Sequence, residues 1–175
     1  MLPEPVEAVD LNIYGDAKLP WSRVLESMAD VIPRPETPQF LGTVGPDTRP
    51  HSAGIGALEY GGAMYFTSGP GTRKSRHLER NPACTLSMRL PEVDLVLEGE
   101  AARVTDPAVL EPVAAAYRTH GWPAEVLGDA LTAPFSAQSA GPPPWYLYRF
   151  TLHTAIGLAF VAPNGATRWR FASSM

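Results

Sequence analysis

The chain has 175 residues, 45% of them apolar and 18% charged, enough for one domain with its own hydrophobic core. A formal net charge of −4 argues against a general nucleic-acid or membrane-surface binder, and a single cysteine, Cys84, excludes an intrachain disulfide framework or a cysteine-based zinc site. No apolar run approaches the roughly 18–20 residues that span a bilayer, and Met1-Leu-Pro-Glu-Pro is not a signal-peptide pattern, so a cytoplasmic protein is expected.

Residues 1–18 carry Glu4, Glu7, Asp10 and Asp16 with little periodicity, which predicts an extended arm ahead of a single domain over 19–175. Trp21, Val24, Leu25, Met28, Val31 and Ile32 recur at helical spacing behind Pro20, and Pro33-Arg-Pro35 stops that helix. From residue 39 the pattern becomes short apolar segments with turns between them, the signature of antiparallel sheet. Strands are predicted over 39–45, 51–60 and 63–67, the last two joined by Gly61-Gly62, where both turn positions tolerate positive φ. A loop over 68–72 leads into a short helix over 73–80, followed by strands over 84–90 and 93–104. Asp106-Pro107 is a helix start, a side-chain cap followed by proline in the first turn, and Gly121 closes that helix. A Ser/Ala/Pro/Gly-rich loop spans 132–144, then two strands over 145–153 and 155–162, then Asn164-Gly165 turning into 167–171. The order gives an α+β chain dominated by antiparallel sheet and excludes a doubly wound fold.

The chemistry concentrates between residues 65 and 80. A strand empties into Ser68-Gly-Pro-Gly-Thr72 and then into Arg73, Lys74 and Arg76. Residues 73–80 carry a local net charge of +3 in a chain of −4, and Lys74 is one of only two lysines. Free N–H groups at the helix start, a guanidinium fork, an ammonium and the hydroxyls of Thr67, Ser68 and Thr72 are donors suited to phosphate oxygens. The plain alternative is a solvated basic helix; the glycine loop in front of it favours the phosphate site. Neither a Walker pattern nor a dinucleotide fingerprint is present, since Gly54-Ile-Gly56 lies within a strand. No nucleophile elbow, acid/base pair or catalytic side chain stands out. The histidines His51, His77, His120 and His153 fall in four separate elements, so no metal site is expected.

Phe40-Leu-Gly-Thr-Val-Gly-Pro-Asp-Thr-Arg-Pro-His51, Met64-Tyr-Phe-Thr-Ser68, Thr72-Arg-Lys-Ser-Arg-His-Leu-Glu-Arg-Asn-Pro82 and Leu95-Val-Leu-Glu-Gly-Glu-Ala-Ala-Arg-Val-Thr-Asp-Pro107 together resemble the pyridoxamine-phosphate-oxidase-like flavin-binding split barrels, over about residues 20–160. The resemblance implies an antiparallel split β-barrel of six or seven strands with a few peripheral helices. It also implies a homodimer with its cofactor clefts at the subunit interface. The cofactor would be FMN or coenzyme F420, its phosphate held by the loop from Gly69 to Lys74. Cofactor contacts would come from Arg49, Ser52, Ala53, Gly54, Phe66, Thr67, Ser68, Thr72, Arg73 and Lys74, with the small residues of 50–57 beneath the flat ring. Trp145, Tyr146, Trp169 and Arg170 are candidates for the substrate side, packing of these aromatic residues in the core or at a dimer contact being the alternative.

Members that oxidise vitamin B6 carry a basic strand residue where this chain has Gly54, Ile55, Gly56 and Ala57, and residues 167–171 do not reproduce their carboxy-terminal substrate motif. The resemblance therefore points to the flavin and deazaflavin oxidoreductase branch acting on a small organic substrate, where the cofactor carries the chemistry. Three alternatives stay open: a cofactor-sequestering protein without turnover, an interaction-only barrel dimer, and a haem-handling barrel using His51, His77 or His153. F420, with its longer anionic tail, would call on further basic residues such as Arg49 and Arg76.

Overall fold

The computed structural model describes residues 1–29, 37–137 and 140–172. Trp21, Val24 and Met28 form the buried stripe of the first helix, α1 (Trp21–Ala29), while the predicted continuation through Val31 and Ile32 and the proline stop fall outside the described residues. Ahead of it, the predicted extended arm docks on the protein's own sheet: β1 (Glu7–Asp10) pairs with the last strand, β11 (Gly165–Arg170). Leu2 is buried, and the Trp21 indole donates to the Pro3 carbonyl.

The antiparallel split barrel expected from the sequence is present, with nine strands in one sheet and three helices among the described residues. Its spine is the 14-residue β10 (Tyr146–Ala159), where the sequence offered two strands. A register shift between Leu152 and Thr154 replaces the expected break, so His153 is accommodated by a bulge and the strand runs on. Along one edge β10 pairs with the whole of β7 (Val93–Val104); along the other it pairs first with β5 (Ala63–Ser68) and then with β11. Gly99 of β7 sits opposite Leu152 at the bulge, and a Cβ there would collide with the Thr151 carbonyl.

From β7 the sheet continues through β6 (Ala83–Arg89) and β2 (Gln39–Val44) to β3 (Pro50–Ile55), which ends this path, while β4 (Ala57–Tyr60) pairs with β5. The single strand predicted over 51–60 is thus two strands with different partners, β3 on β2 and β4 on β5. Gly56 separates them, and side chains satisfy the backbone at the break. The Ala57 N–H donates to Gln39 Oε1 (2.6 Å), and the Tyr117 hydroxyl lies 3.3 Å from the Gly56 carbonyl.

The main core fills the barrel with Leu41, Met64, Phe66, Leu86, Leu97 and Phe150, closed at one end by Trp21, Trp169 and Phe171. Outside it, α3 (Pro107–Thr119) packs Leu110, Val113, Ala114 and Tyr117 on Leu58, Tyr65 and Leu147, with Asp106 as the expected cap. A short hairpin follows that the sequence did not reveal, β8 (Glu125–Leu127) with β9 (Ala130–Thr132). Leu131 and Trp145 exchange backbone hydrogen bonds (2.8 and 2.7 Å), so the Trp145 end of the loop over 132–144 is anchored. None of the helices among the described residues is long and apolar enough to cross a membrane.

Candidate functional site

The loop after β5 is held by its own hydroxyl groups. Ser75 Oγ lies 2.8 Å from both Ser68 Oγ and the Gly69 carbonyl, and the Thr72 hydroxyl donates to that carbonyl (2.9 Å) while accepting from the Ser75 N–H (3.3 Å). Thr72 thereby caps α2 (Arg73–Leu78), and Ser68 and Ser75 are fully buried. Ser68 and Thr72, expected as phosphate contacts, therefore set the shape of the loop. Gly69 is required there, because any Cβ would run into the Ala140 carbonyl.

Positive charge gathers where α2 meets β3. Arg73 is exposed, whereas Lys74 is only 3% exposed, and burial holds its ammonium below the usual lysine pKa. His77, one turn on, lies edge-on to His51 of β3 with ring centroids 5.7 Å apart. Its Nδ1 is 3.0 Å from the Thr43 hydroxyl of β2. Desolvation first, then Arg73, His77 and Lys74, holds the His51 imidazole below its ordinary 6.5. Two histidines that the sequence separates by a turn, two strands and a loop thus share one cationic corner with the Arg-Lys pair. The missed signal is a register relation, Thr43 opposite His51, which places His51 over α2.

Arg49 and Arg76 are engaged elsewhere. Arg49 pairs with Asp47 at the exposed turn before β3 (3.6 Å), and Arg76 donates to the Gly71 carbonyl (2.6 Å).

From this corner β3 runs to a cleft of about 560 Å³. Gly54 is three positions along β3 from His51, about 10 Å of extended chain. Gly54, Ile55, Gly56 and Thr67 line the cleft together with Tyr117, His120, Trp122 and Trp145 from α3 and the chain beyond it. A Cβ on Gly54 or Gly56 would meet nothing within 4 Å, so the backbone here faces open space that a flat ring can approach. Ser52 is exposed and Ala53 half-buried on the same strand. Phe66 points into the core, stacked on Tyr148 with centroids 5.3 Å apart.

The proposed substrate-side residues separate. Trp145 lines the cleft; Trp169 is core, packed on Trp21; exposed Arg170 lies 3.4 Å from Glu7 of β1. Tyr146 is half-buried against the main core. His153 stands exposed at the β10 bulge. Tyr117, His120 and Trp122 are not among the expected site residues: Tyr117 belongs by spacing to the apolar stripe of α3, and nothing local in the sequence brings His120 or Trp122 to a cleft. Among the described residues no group of three or more His, Cys, Asp or Glu is arranged to hold a metal ion.

The family model described as pyridoxamine 5'-phosphate oxidase matches residues 25–157, three quarters of the chain and every element from the body of α1 to β10. The chain belongs to the pyridoxamine 5'-phosphate oxidase family. Solved structures with the same fold include a NimC/NimA family protein from Clostridium acetobutylicum, 19% identical over 84% of this chain and 90% of that one, with a TM-score of 0.55. A pyridoxamine 5'-phosphate oxidase-related, FMN-binding protein from Nostoc punctiforme is 16% identical over 86% and 90%, also at 0.55. A haem-binding protein from Mycobacterium smegmatis is 12% identical over 86% of this chain and 58% of that one, at 0.56. At these identities the likeness is one of fold. No curated protein sequence matches significantly.

Proposed function

We propose that this protein binds FMN and uses it as a redox cofactor on a small organic substrate. The observation that carries the proposal is one continuous path, from the cationic corner of His51, Arg73 and Lys74 along the small residues of β3 to an aromatic-walled cleft. A phosphorylated flat ring is the ligand whose two ends match those two places. Arg73 and Lys74 would take the phosphate, Arg73 as a planar fork and Lys74 as a point charge. The rigid hydroxyl loop fixes their positions, and β3 supports the ring from Gly54 to Gly56. The bound cofactor supplies hydride transfer, while the protein orients it and keeps water from one face.

The cationic corner is small. Arg76 turned onto Gly71 and Arg49 onto Asp47 leave a corner suited to one phosphate, which favours FMN over the longer anionic tail of F420. A homodimer with the cleft at its interface and a cytoplasmic setting belong to the same proposal. The test is to titrate the purified protein separately with FMN, F420 and haem, following fluorescence quenching or the Soret band, with its mass in solution measured alongside. Saturable, stoichiometric binding of FMN is expected. Preference for F420 would transfer the reading to the deazaflavin, a Soret band with no flavin binding would replace it with haem handling, and binding of none of the three would overturn it.

A further inference from the structure

The aromatic wall of the cleft carries information about the substrate. Trp122 is its centre, perpendicular to Tyr117 at 4.7 Å between centroids and tilted against Trp145 at 5.5 Å. The polar atoms of its neighbours are already used. The Trp145 indole N–H donates to the Gly141 carbonyl (3.1 Å), the Tyr117 hydroxyl lies 3.3 Å from the Gly56 and Tyr65 carbonyls, and Gln39 Oε1 accepts from the Ala57 N–H. What remains toward the cleft is chiefly the faces and edges of rings, with the neutral polar side chains of Thr37, Gln39, Thr67 and His120 among them. Among the described residues that line the cleft there is no Asp, Glu, Lys or Arg, and the cations Arg73 and Lys74 sit at the other end of β3.

We infer that the cleft selects a planar, uncharged aromatic substrate, stacked on the Trp122 wall opposite the β3 backbone. This rests on the flavin reading above for where the cofactor ring lies. An anionic substrate would shed its hydration at the wall with no cation to receive it, and a flexible aliphatic one would gain little from rings set at fixed angles. The phosphate-binding charge serves the cofactor end, so this division makes the substrate chemically unlike a phosphorylated vitamin.

A matched pair of probes isolates charge from shape: 2-naphthol and naphthalene-2-sulfonate share a ring system and differ in charge. Calorimetric titration of both, at pH 8, into the FMN-saturated protein and into the protein without added cofactor should give at least tenfold tighter binding of 2-naphthol. Trp122→Ala should weaken that binding at least fivefold and Trp122→Phe by less than twofold, with the melting temperature confirming that each variant is folded. Equal or tighter binding of the sulfonate, or no naphthol binding by protein that binds FMN, would overturn the inference. A Trp122→Ala variant that is folded and binds naphthol as the parent does would overturn the wall's part in it. Failure to bind FMN while the naphthol preference persists would instead sink the flavin reading and leave the cleft's selectivity standing.

Discussion

Lys74 and His51 show how individual side chains are committed. Lys74 is a buried ammonium whose charged form burial disfavours. Lys74→Met should weaken FMN binding by about tenfold or more, the size of one charge-assisted phosphate contact, in a variant that remains folded. Calorimetry with FMN beside a thermal melt checks both, and loss of stability with unchanged affinity would make Lys74 a structural residue. His51 is expected to take up a proton when an anion binds beside it, because its neighbours hold the free imidazole below 6.5. The groups acting on it are Arg73, Lys74 and His77 on α2, with Thr43 opposite it on β2 and the Asp47–Arg49 pair nearby in the turn between β2 and β3. The unfolded chain protonates this histidine first, so the free protein loses stability as pH falls through 6.5, and a bound phosphate restores part of it. Comparing FMN affinity at pH 8 and pH 6 in the parent and in His51→Gln removes the titration of the phosphate itself. The parent should gain more affinity on acidification than the variant, and equal slopes would exclude His51 from the site. The Arg73-Lys74 pair was legible in the sequence because charge contrast and a glycine loop are local. His51 and His77 were not, since their meeting depends on strand register.

At the scale of elements, breaks and continuations carried the surprises. The sequence reading joined β3 to β4 because 51–60 has no breaker other than glycine, yet the chain changes partner strands at Gly56. The Gln39 and Tyr117 side chains stand in for the missing ladder bonds there. Gln39→Ala leaves the buried Ala57 N–H without its acceptor and should cost about 1–3 kcal/mol in denaturant unfolding. At β10 the reverse holds: the break expected between strands over 145–153 and 155–162 is a bulge at His153 within one strand. Gly99 faces that bulge with no room for a methyl group, so Gly99→Ala should be destabilising by about 1–3 kcal/mol or more. Equilibrium unfolding of both variants checks the pair, and a neutral Gly99→Ala would mean that β7 and β10 shift apart easily. The α3 start and the β6–β7 pairing were legible, because an Asp-Pro cap and strict alternation are local signals. The β8–β9 hairpin is too short to produce one.

For the whole molecule, the division of labour is between a rigid barrel and the features built on its flank. The barrel core is filled by ordinary aliphatic and aromatic packing, so fold class could be read from pattern alone. The cleft could not, because its walls come from β3, β5, α3 and the chain around Trp122 and Trp145, which meet only in three dimensions. The central claim is that the cationic corner anchors the cofactor. It is tested most directly by FMN titration of the parent and of the double variant Arg73→Ala/Lys74→Met at low and high salt. Charge anchoring predicts stoichiometric binding by the parent that weakens with salt, because the Debye length shortens from about 10 Å at 0.1 M to about 3 Å at 1 M. It also predicts at least hundredfold loss in a double variant that melts normally. Parent and variant binding alike, or binding by neither in a folded protein, would contradict it.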